Sequence, residues 1–183
     1  MISNLLQGPR LRLSAVQEAD YEALARWHQD TAFLRLLDAR PAMPPTPKMI
    51  REEIEDLQKS QRSFAFSVRL LDSDALIGYA EIDGILWAHR VGGLGLGIDD
   101  PAYRGQGYGT EAAGLALAFA FRELNLHRIT ATVFSYNQAS LRMCEKLGFT
   151  REGVFREFLE RDGQRHDMIL LGLLRREWEA YQP

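Results

Sequence analysis

The feature that most constrains the fold is a glycine-rich loop in the second half of the chain. Gly105, Gly107 and Gly109 lie between a strand-like run that ends near residue 98 and a strongly helical segment at residues 110–124. Glycine tolerates positive φ and lets the backbone approach a ligand closely. Unpaired N–H groups and the helix dipole meet at a helix N-terminus, so the segment predicts an anion site.

Spacing excludes two better-known phosphate loops. The Walker pattern ends in Gly-Lys-Ser/Thr, whereas Gly109 is followed by Thr110 with no lysine. The dinucleotide pattern requires glycine at positions one, three and six, and position six counted from Gly105 is Thr110. Arg104 precedes the loop, where it either binds phosphate or caps backbone carbonyls. A tight turn without a ligand is the remaining alternative.

Hydrophobic periodicity places this loop in a mixed α/β pattern. Helices are predicted from Asp20 onward, after Thr46 and Pro47, and at residues 110–124 and 139–147. Strands are predicted at residues 10–16, 64–71, 76–82, 91–98, 129–134, 150–159 and 164–174. The order of elements predicts an α/β sheet of about seven strands with helices on its faces, in one domain over residues 1–183.

Composition mainly excludes classes of partner and of site. A net charge of −3 gives no general attraction to nucleic acid or anionic lipid, so neither is expected as a partner. Cys144 is the only cysteine, which excludes an intrachain disulfide, and no metal site is expected. The N-terminus lacks a signal-peptide pattern, and the longest apolar run, residues 113–121, is far below the roughly 20 residues that span a membrane. We therefore predict a cytoplasmic protein.

In this context the loop resembles the acetyl-CoA signature of the GNAT superfamily of N-acetyltransferases, Gln/Arg-x-x-Gly-x-Gly/Ala. Arg104, Gly107 and Gly109 occupy its positions, and residues 137–140 with 145–149 are similar to a second signature. Further positions resemble the RimJ/RimL-type branch of the family. These are Tyr103, Glu111, Ala112, Asp167, Arg176, Glu177 and Trp178.

The resemblance implies a largely antiparallel sheet whose fourth and fifth strands splay apart to admit the pantetheine of acetyl-CoA. Backbone groups of the fourth strand would hold the pantetheine, and the glycine loop would hold the pyrophosphate. The residues that it assigns to acetyl-CoA are Leu96, Ile98, Arg104, Gly105, Gln106, Gly107, Tyr108, Gly109, Thr110, Asn137 and Ser140.

The implied activity is transfer of the acetyl group to a primary amine, on a protein N-terminus or a small molecule, by direct attack on the thioester. The protein would act as a monomer or a homodimer. A non-catalytic module that binds acyl-CoA is the alternative, because the catalytic residues are less clearly marked than the cofactor loop.

Candidate catalytic residues follow from the chemistry. An alkylamine has a pKa near ~10, so a base must remove its proton. Glu81 and Asp83 alternate in a strand beside the fourth and so share one face, although a solvated face is equally consistent with them. Many relatives carry a tyrosine, seven residues after the asparagine, that protonates the thiolate. Cys144 occupies that position here, so Ser140 is predicted as the acid.

Other candidates have an alternative role in packing or structure. His166 with Asp167 forms a second candidate base pair. The aromatic residues Trp27, Phe33, Trp87 and Tyr136 are candidates for an acceptor pocket, with core packing as the alternative. The glycines of residues 93–97 either accompany backbone N–H groups that polarise the thioester or fit an adjacent helix.

Overall fold

The computed structural model describes residues 4–181, except for the side chain of Gln58. Within that range the chain forms a seven-stranded sheet in the order β1-β2-β3-β4-β5-β7-β6. The strands are β1 Leu11–Ser14, β2 Phe64–Leu70, β3 Leu76–Leu86, β4 Val91–Gly97, β5 Arg128–Phe134, β6 Thr150–Arg161 and β7 Gln164–Leu174. The helices are α1 Glu18–Trp27, α2 Thr31–Leu37, α3 Pro47–Lys59, α4 Tyr108–Ala118, α5 Gln138–Lys146 and α6 Arg175–Tyr181.

The sheet opens between its two central strands. Every neighbouring pair is antiparallel except β4 and β5, which are parallel. Their pairing covers only Val91–Gly93 with Arg128–Thr130, while β4 stays paired with β3, and β5 with β7, beyond that point. The mixed, largely antiparallel sheet with splayed fourth and fifth strands is thus confirmed. We call the opening the β4–β5 gap.

Helices cover both faces of the sheet. Leu94 and Leu96 of β4, with Ile98 just after it, pack into the larger core with the apolar side of α4, on what we call the α4 face. On the opposite face, Tyr79 of β3 packs against a smaller core. Residues of α1 and α3, for example Leu24 of α1, form this core. We call this the α1–α3 face. Because side chains alternate along a strand, each face receives every second residue of β3 and β4.

The sequence pattern does not predict two of the helices, α2 and α6. Helix α2 has only seven residues, and its start is fixed by Asp30, whose carboxylate accepts from the N–H groups of Ala32 and Phe33. So short a helix shows too little periodicity to detect. Helix α6 follows β7 without a linker. The long predicted helix also begins earlier, at Tyr108, and ends in a π-helical turn at Phe119–Glu123.

The predicted hairpin between β6 and β7 is present. Asp162 and Gly163 have φ of 51° and 75°, as a two-residue turn of this kind requires. The edge strand β6 carries a register shift between Phe155 and Leu159, where Glu157 has φ of 50°. No helix within residues 4–181 is long and apolar enough to cross a membrane.

Candidate active site

The glycine loop has the backbone geometry that an anion site needs. Gly105 and Gly107 have φ of 74° and 84°, which is the left-handed region. Gly107 is the N-cap of α4, and the first helical hydrogen bond runs from the N–H of Glu111 to its carbonyl at 3.1 Å. The N–H groups of residues 108–110 precede that bond and have no partner within the helix. The loop therefore fits a pyrophosphate.

Arg104 caps the loop. Its Nε donates to the carbonyl of Ile98 at 2.8 Å, and its Nη2 donates to that of Asp99 at 2.6 Å. The guanidinium also lies 3.9 Å from the centre of the Phe33 ring and 3.8 Å from the carboxylate of Asp30. Of the two roles that the sequence allows, the structure shows the capping role. Arg104 fixes the path of the chain from β4 into the loop.

A buried hydrogen bond supports the same turn. The carboxylate of Asp99, two residues after β4, is 2.7 Å from Nε2 of His28 at the end of α1. Burial raises the pKa of Asp99, while the bond and the charge of His28 oppose the rise. The α1–α3 face is thereby tied to the strand end that leads into the glycine loop. Neither residue has a recognisable spacing in the sequence.

Backbone groups of β4 point into the gap at the predicted positions. The hydroxyl of Thr130 in β5 donates to the carbonyl of Gly92 at 3.2 Å, so Gly92 faces β5. The N–H of Asp99 donates to a carbonyl of β3 at 3.0 Å. Since backbone groups alternate in direction along a strand, those of Leu96 and Ile98 face β5, where the two strands have separated.

Helix α5 packs beside the start of α4, next to the glycine loop. Asn137 is its N-cap, and the Oδ1 atom accepts from the N–H of Ser140 at 3.2 Å. A Cβ added to Gly109 would lie 3.7 Å from the sulfur of Met143, so α5 packs beside the start of α4. Ser140 precedes Met143 by three residues and therefore shares the helical face that packs beside the start of α4.

Two carboxylates of β3 lie over glycines of β4. Glu81 is opposite Gly95 and Asp83 is opposite Gly93 in the register. A Cβ at Gly95 would lie 2.7 Å from Glu81 Oε1, and one at Gly93 would lie 2.3 Å from Asp83 Oδ1. The glycines therefore make room for the carboxylates on the α1–α3 face. At Gly97 the same space is filled by side chains of α2.

The environment of Glu81 suits a base at neutral pH. Burial raises its pKa from 4.5 to about 7, the charge of Asp83 adds to the rise, and the bond from Tyr79 opposes it. The hydroxyl of Tyr79 donates to Glu81 Oε2 at 2.9 Å. Burial also raises the pKa of Asp83. Glu81 lies opposite Gly95, two residues beyond the last residue of β4 that pairs with β5.

Helix α2 spans the gap and is held from the other half of the sheet. The hydroxyl of Tyr136 donates to the carbonyl of Arg35, and the amide of Asn137 donates to the next carbonyl at 3.4 Å. Arg161, in the β6–β7 hairpin, donates to the carbonyls of residues 38–40. Asn137 thus caps α5 and contacts α2 in this structure.

Several candidate residues lie away from the gap or have other partners. Asp167 accepts from the N–H of Glu157 at 2.8 Å and so holds the β6 bulge, while His166 packs on Tyr136. Trp87 lies in the turn between β3 and β4, near the start of β4, where β4 is still paired with β5. Trp27 packs beside the smaller core.

Cys144 is buried in the larger core, and burial raises the pKa of its thiol to about 11. A thiol in that position is a small apolar residue rather than a proton donor near the gap.

Comparisons with known proteins identify the family. A family model for the acetyltransferase (GNAT) domain matches residues 10–150. The SPbeta prophage-derived uncharacterized N-acetyltransferase YokL of Bacillus subtilis is 31% identical over 94% of this chain and 94% of its own. The [ribosomal protein uS5]-alanine N-acetyltransferase of Escherichia coli is 29% identical over 68% of this chain and 64% of its own.

A solved structure has the same fold. The spermidine N-acetyltransferase of Vibrio cholerae, in complex with CoA and spermine, superposes with a TM-score of 0.83. It is 22% identical, over 94% of this chain and 99% of that one. The family model covers more than half of the sequence, and YokL matches nearly all of it. The chain therefore belongs to the GNAT family of acetyl-CoA-dependent N-acetyltransferases.

Proposed function

We propose that the β4–β5 gap is the active site of an N-acetyltransferase of the RimJ/RimL-type branch, with Glu81 as the general base. One observation carries this proposal. Glu81 lies opposite Gly95, just beyond the point where β4 and β5 separate, and the glycine loop borders the same gap from the α4 face. Family membership favours this enzyme over a non-catalytic module.

The cofactor would be held from the α4 face. Acetyl-CoA supplies an acetyl thioester when it is bound. The backbone groups of Leu96 and the N–H of Ile98, which face the open part of the gap, suit its pantetheine, while the carbonyl of Ile98 is bonded to Arg104. The N–H groups at the start of α4 suit its pyrophosphate. Residues proposed to line this site are Leu96, Ile98, Arg104, Gly105, Gln106, Gly107, Tyr108, Gly109, Thr110, Asn137 and Ser140.

Glu81 would accept a proton from the amine. A carboxylate with a pKa of about 7 is partly ionised at neutral pH and still basic enough to take a proton. The bond from Tyr79 fixes one oxygen, so the other, against Gly95, is free to face the gap. Asp83 lies one side-chain position further along the same face and is the weaker candidate, because it is further from the open part of the gap.

Ser140 would donate a proton from the other side. It lies in the first turn of α5, next to the cofactor loop, whereas Glu81 lies on the α1–α3 face. Base and acid are therefore on opposite sides of the gap. This arrangement suits a reaction in which the amine enters from one face and the thiol leaves toward the other.

Two classes of acceptor are candidates. The relative that acetylates a ribosomal protein favours a peptide N-terminus. Asp167 stands at a position that resembles the RimJ/RimL-type branch. A polyamine is the second candidate, because Asp83 lies about 7 Å from Glu81 along β3, where it would pair with a second ammonium group.

The test is a thiol-release assay with acetyl-CoA and matched amines. The panel contains peptides that begin with alanine or serine, spermidine, free amino acids and an N-acetylated peptide as the negative control. We expect release with at least one primary amine and none with the blocked peptide. Tight CoA binding without release across the panel would contradict the proposed function.

A further inference from the structure

The Arg10 guanidinium lies on the glycine loop although it is about a hundred positions away in the sequence. Its Nη1 donates to the carbonyl of Gln106 at 3.1 Å, and its centre lies 4.4 Å from the middle of the Tyr108 ring. A Cβ added to Gly107 would lie 3.4 Å from Nη2. The guanidinium therefore stands beside the N-cap of α4, where the free N–H groups converge.

Glu111 holds Arg10 in this position. Oε2 of Glu111 accepts from Nε of Arg10 at 2.7 Å, and Oε1 accepts from the backbone N–H groups of Arg10 and Leu11 at 2.9 and 3.3 Å. The carboxylate thus faces three donors, which offset its charge. Its bonds engage the Nε side of the guanidinium, while no residue in the described part of the chain accepts from Nη2.

The two arginines that contact the glycine loop, Arg104 and Arg10, have different surroundings. Arg104 uses Nε and Nη2 on backbone carbonyls and lies flat on Phe33. Arg10 is 46% exposed, and the edge that carries Nη2 adjoins Gly107. In the second arrangement Nη2 of Arg10 lies next to Gly107 at the start of α4, whereas the bonded edge of Arg104 faces the carbonyls at the end of β4.

We infer that Arg10, rather than Arg104, is the side chain that binds the pyrophosphate of coenzyme A. The inference rests on the proposed position of the pyrophosphate at the loop. A guanidinium forms charge-assisted hydrogen bonds with phosphate oxygens, and one such bond from Nη2 would strengthen a site made of neutral N–H groups. The sequence does not indicate this role of Arg10, because the residue reaches the loop only through the contact of β1 with α4.

Calorimetry with coenzyme A tests the inference. We expect Arg10→Gln to raise the Kd roughly tenfold, as loss of one charge-assisted contact would. Arg12→Gln is the matched control, since Arg12 lies two residues along β1 and pairs with Asp74 on the surface. Its Kd should equal that of the wild type. An unchanged Kd in Arg10→Gln would overturn the inference.

Two further measurements separate phosphate binding from support of the loop. The Kd of the wild type should rise with sodium chloride concentration, and this dependence should be weaker in Arg10→Gln. Equal salt dependence in both proteins would mean that Arg10 only supports the loop, and would overturn the inference. Arg10→Lys should restore part of the affinity, because it keeps the charge.

The source of the phosphate is settled with dephospho-CoA, which has the pyrophosphate but no 3′-phosphate. We expect Arg10→Gln to lose affinity for both ligands by the same factor. A loss confined to coenzyme A would place Arg10 at the 3′-phosphate and overturn the inference. Gly107→Val provides the distinction from the proposed site itself. If Gly107→Val binds coenzyme A normally, the proposed position of the pyrophosphate at the loop is wrong. If Gly107→Val binds poorly and Arg10→Gln binds normally, only the inference about Arg10 is wrong.

Discussion

The two faces of the sheet beside the β4–β5 gap are built by different means. On the α4 face, the proposed anion site consists of main-chain N–H groups, two glycines with positive φ and a helix start, all within residues 104–111. On the α1–α3 face, the proposed base site consists of side chains from β3 placed over glycines of β4. A site made from contiguous backbone depends on local sequence. A site made from side chains on separate strands depends on register.

The largest expected effect comes from removing the base. Glu81→Gln keeps the shape of the side chain and its ability to accept from Tyr79, but it has no useful basicity. We expect kcat/KM to fall by roughly 10²–10⁴-fold, with the Kd for coenzyme A unchanged. Steady-state kinetics and calorimetry check both parts. If activity were retained, the base would be elsewhere, and Asp83→Asn would be the next variant to assay.

The same substitution should stabilise the protein at alkaline pH. The folded-state pKa of about 7 exceeds the ordinary 4.5, so ionisation of Glu81 opposes folding. This cost is absent below pH about 4, grows between the two pKa values and is complete above pH about 8. Each pKa unit is worth about 1.4 kcal/mol, so we expect Glu81→Gln to gain on the order of 3 kcal/mol at high pH and little at low pH. Urea unfolding at both pH values measures it.

The α4 face is tested by Gly107→Val. A valine at φ of 84° is strained, and its side chain would occupy the space beside Arg10 where the anion is expected. We expect the affinity for coenzyme A to fall roughly 100-fold, about 2.7 kcal/mol. Gly114→Ala is the control, because Gly114 lies inside the same helix with open space around it. It should bind normally and gain roughly 0.5–1 kcal/mol of stability.

The sequence predicts more of the α4 face than of the α1–α3 face, for the same reason. The backbone course of the loop, the helix that follows it and the approximate order of elements along the chain are predicted by the glycine spacing and the periodicity, and the structure agrees with them. The alternation of Glu81 and Asp83 is also visible in the sequence. Their placement over Gly95 and Gly93 is not, because it requires the pairing of β3 with β4 to be known.

Contacts between distant segments were the least predictable. Arg10 reaches the loop because β1 lies under α4, and His28 reaches Asp99 because α1 ends above β4. None of these pairs has a local spacing rule. Helix α2, which carries Phe33 over Gly97, was missed because seven residues give little periodic signal. Those elements would border the acceptor in the proposed site, so the sequence alone leaves the acceptor open.

The proposed acid gives an intermediate effect. We expect Ser140→Ala to lower kcat on the order of tenfold, since water can partly replace a hydroxyl as proton donor. Cys144→Ala should leave kcat unchanged and lower stability by about 1–2 kcal/mol, because it deletes a buried core atom. Rapid kinetics and thermal unfolding measure the pair. A fall in kcat in Cys144→Ala, with Ser140→Ala active, would reverse the two roles.

The smallest expected effect is a shift in the pH profile, and it probes the α1–α3 face most directly. The groups that act on Glu81 are Tyr79 and Asp83 on β3 and Glu53 on α3. Tyr79→Phe removes a donor that stabilises the carboxylate, so the pKa of Glu81 should rise and the acidic limb of kcat/KM should move to higher pH. Asp83→Asn removes a neighbouring negative charge, so the limb should move to lower pH.

Opposite shifts from two substitutions on one strand are difficult to obtain from a general loss of structure, which would lower the rate without moving the limb in two directions. Glu53→Gln is the weaker companion of Asp83→Asn, since Glu53 contributes least to the pKa of Glu81, and its shift should be smaller in the same direction. If Tyr79→Phe and Asp83→Asn moved the limb together, or if neither moved it, the group that titrates in the profile would not be Glu81. The carboxylates over the β4 glycines would then have only a packing role, and the comparison between the two faces would have to be revised.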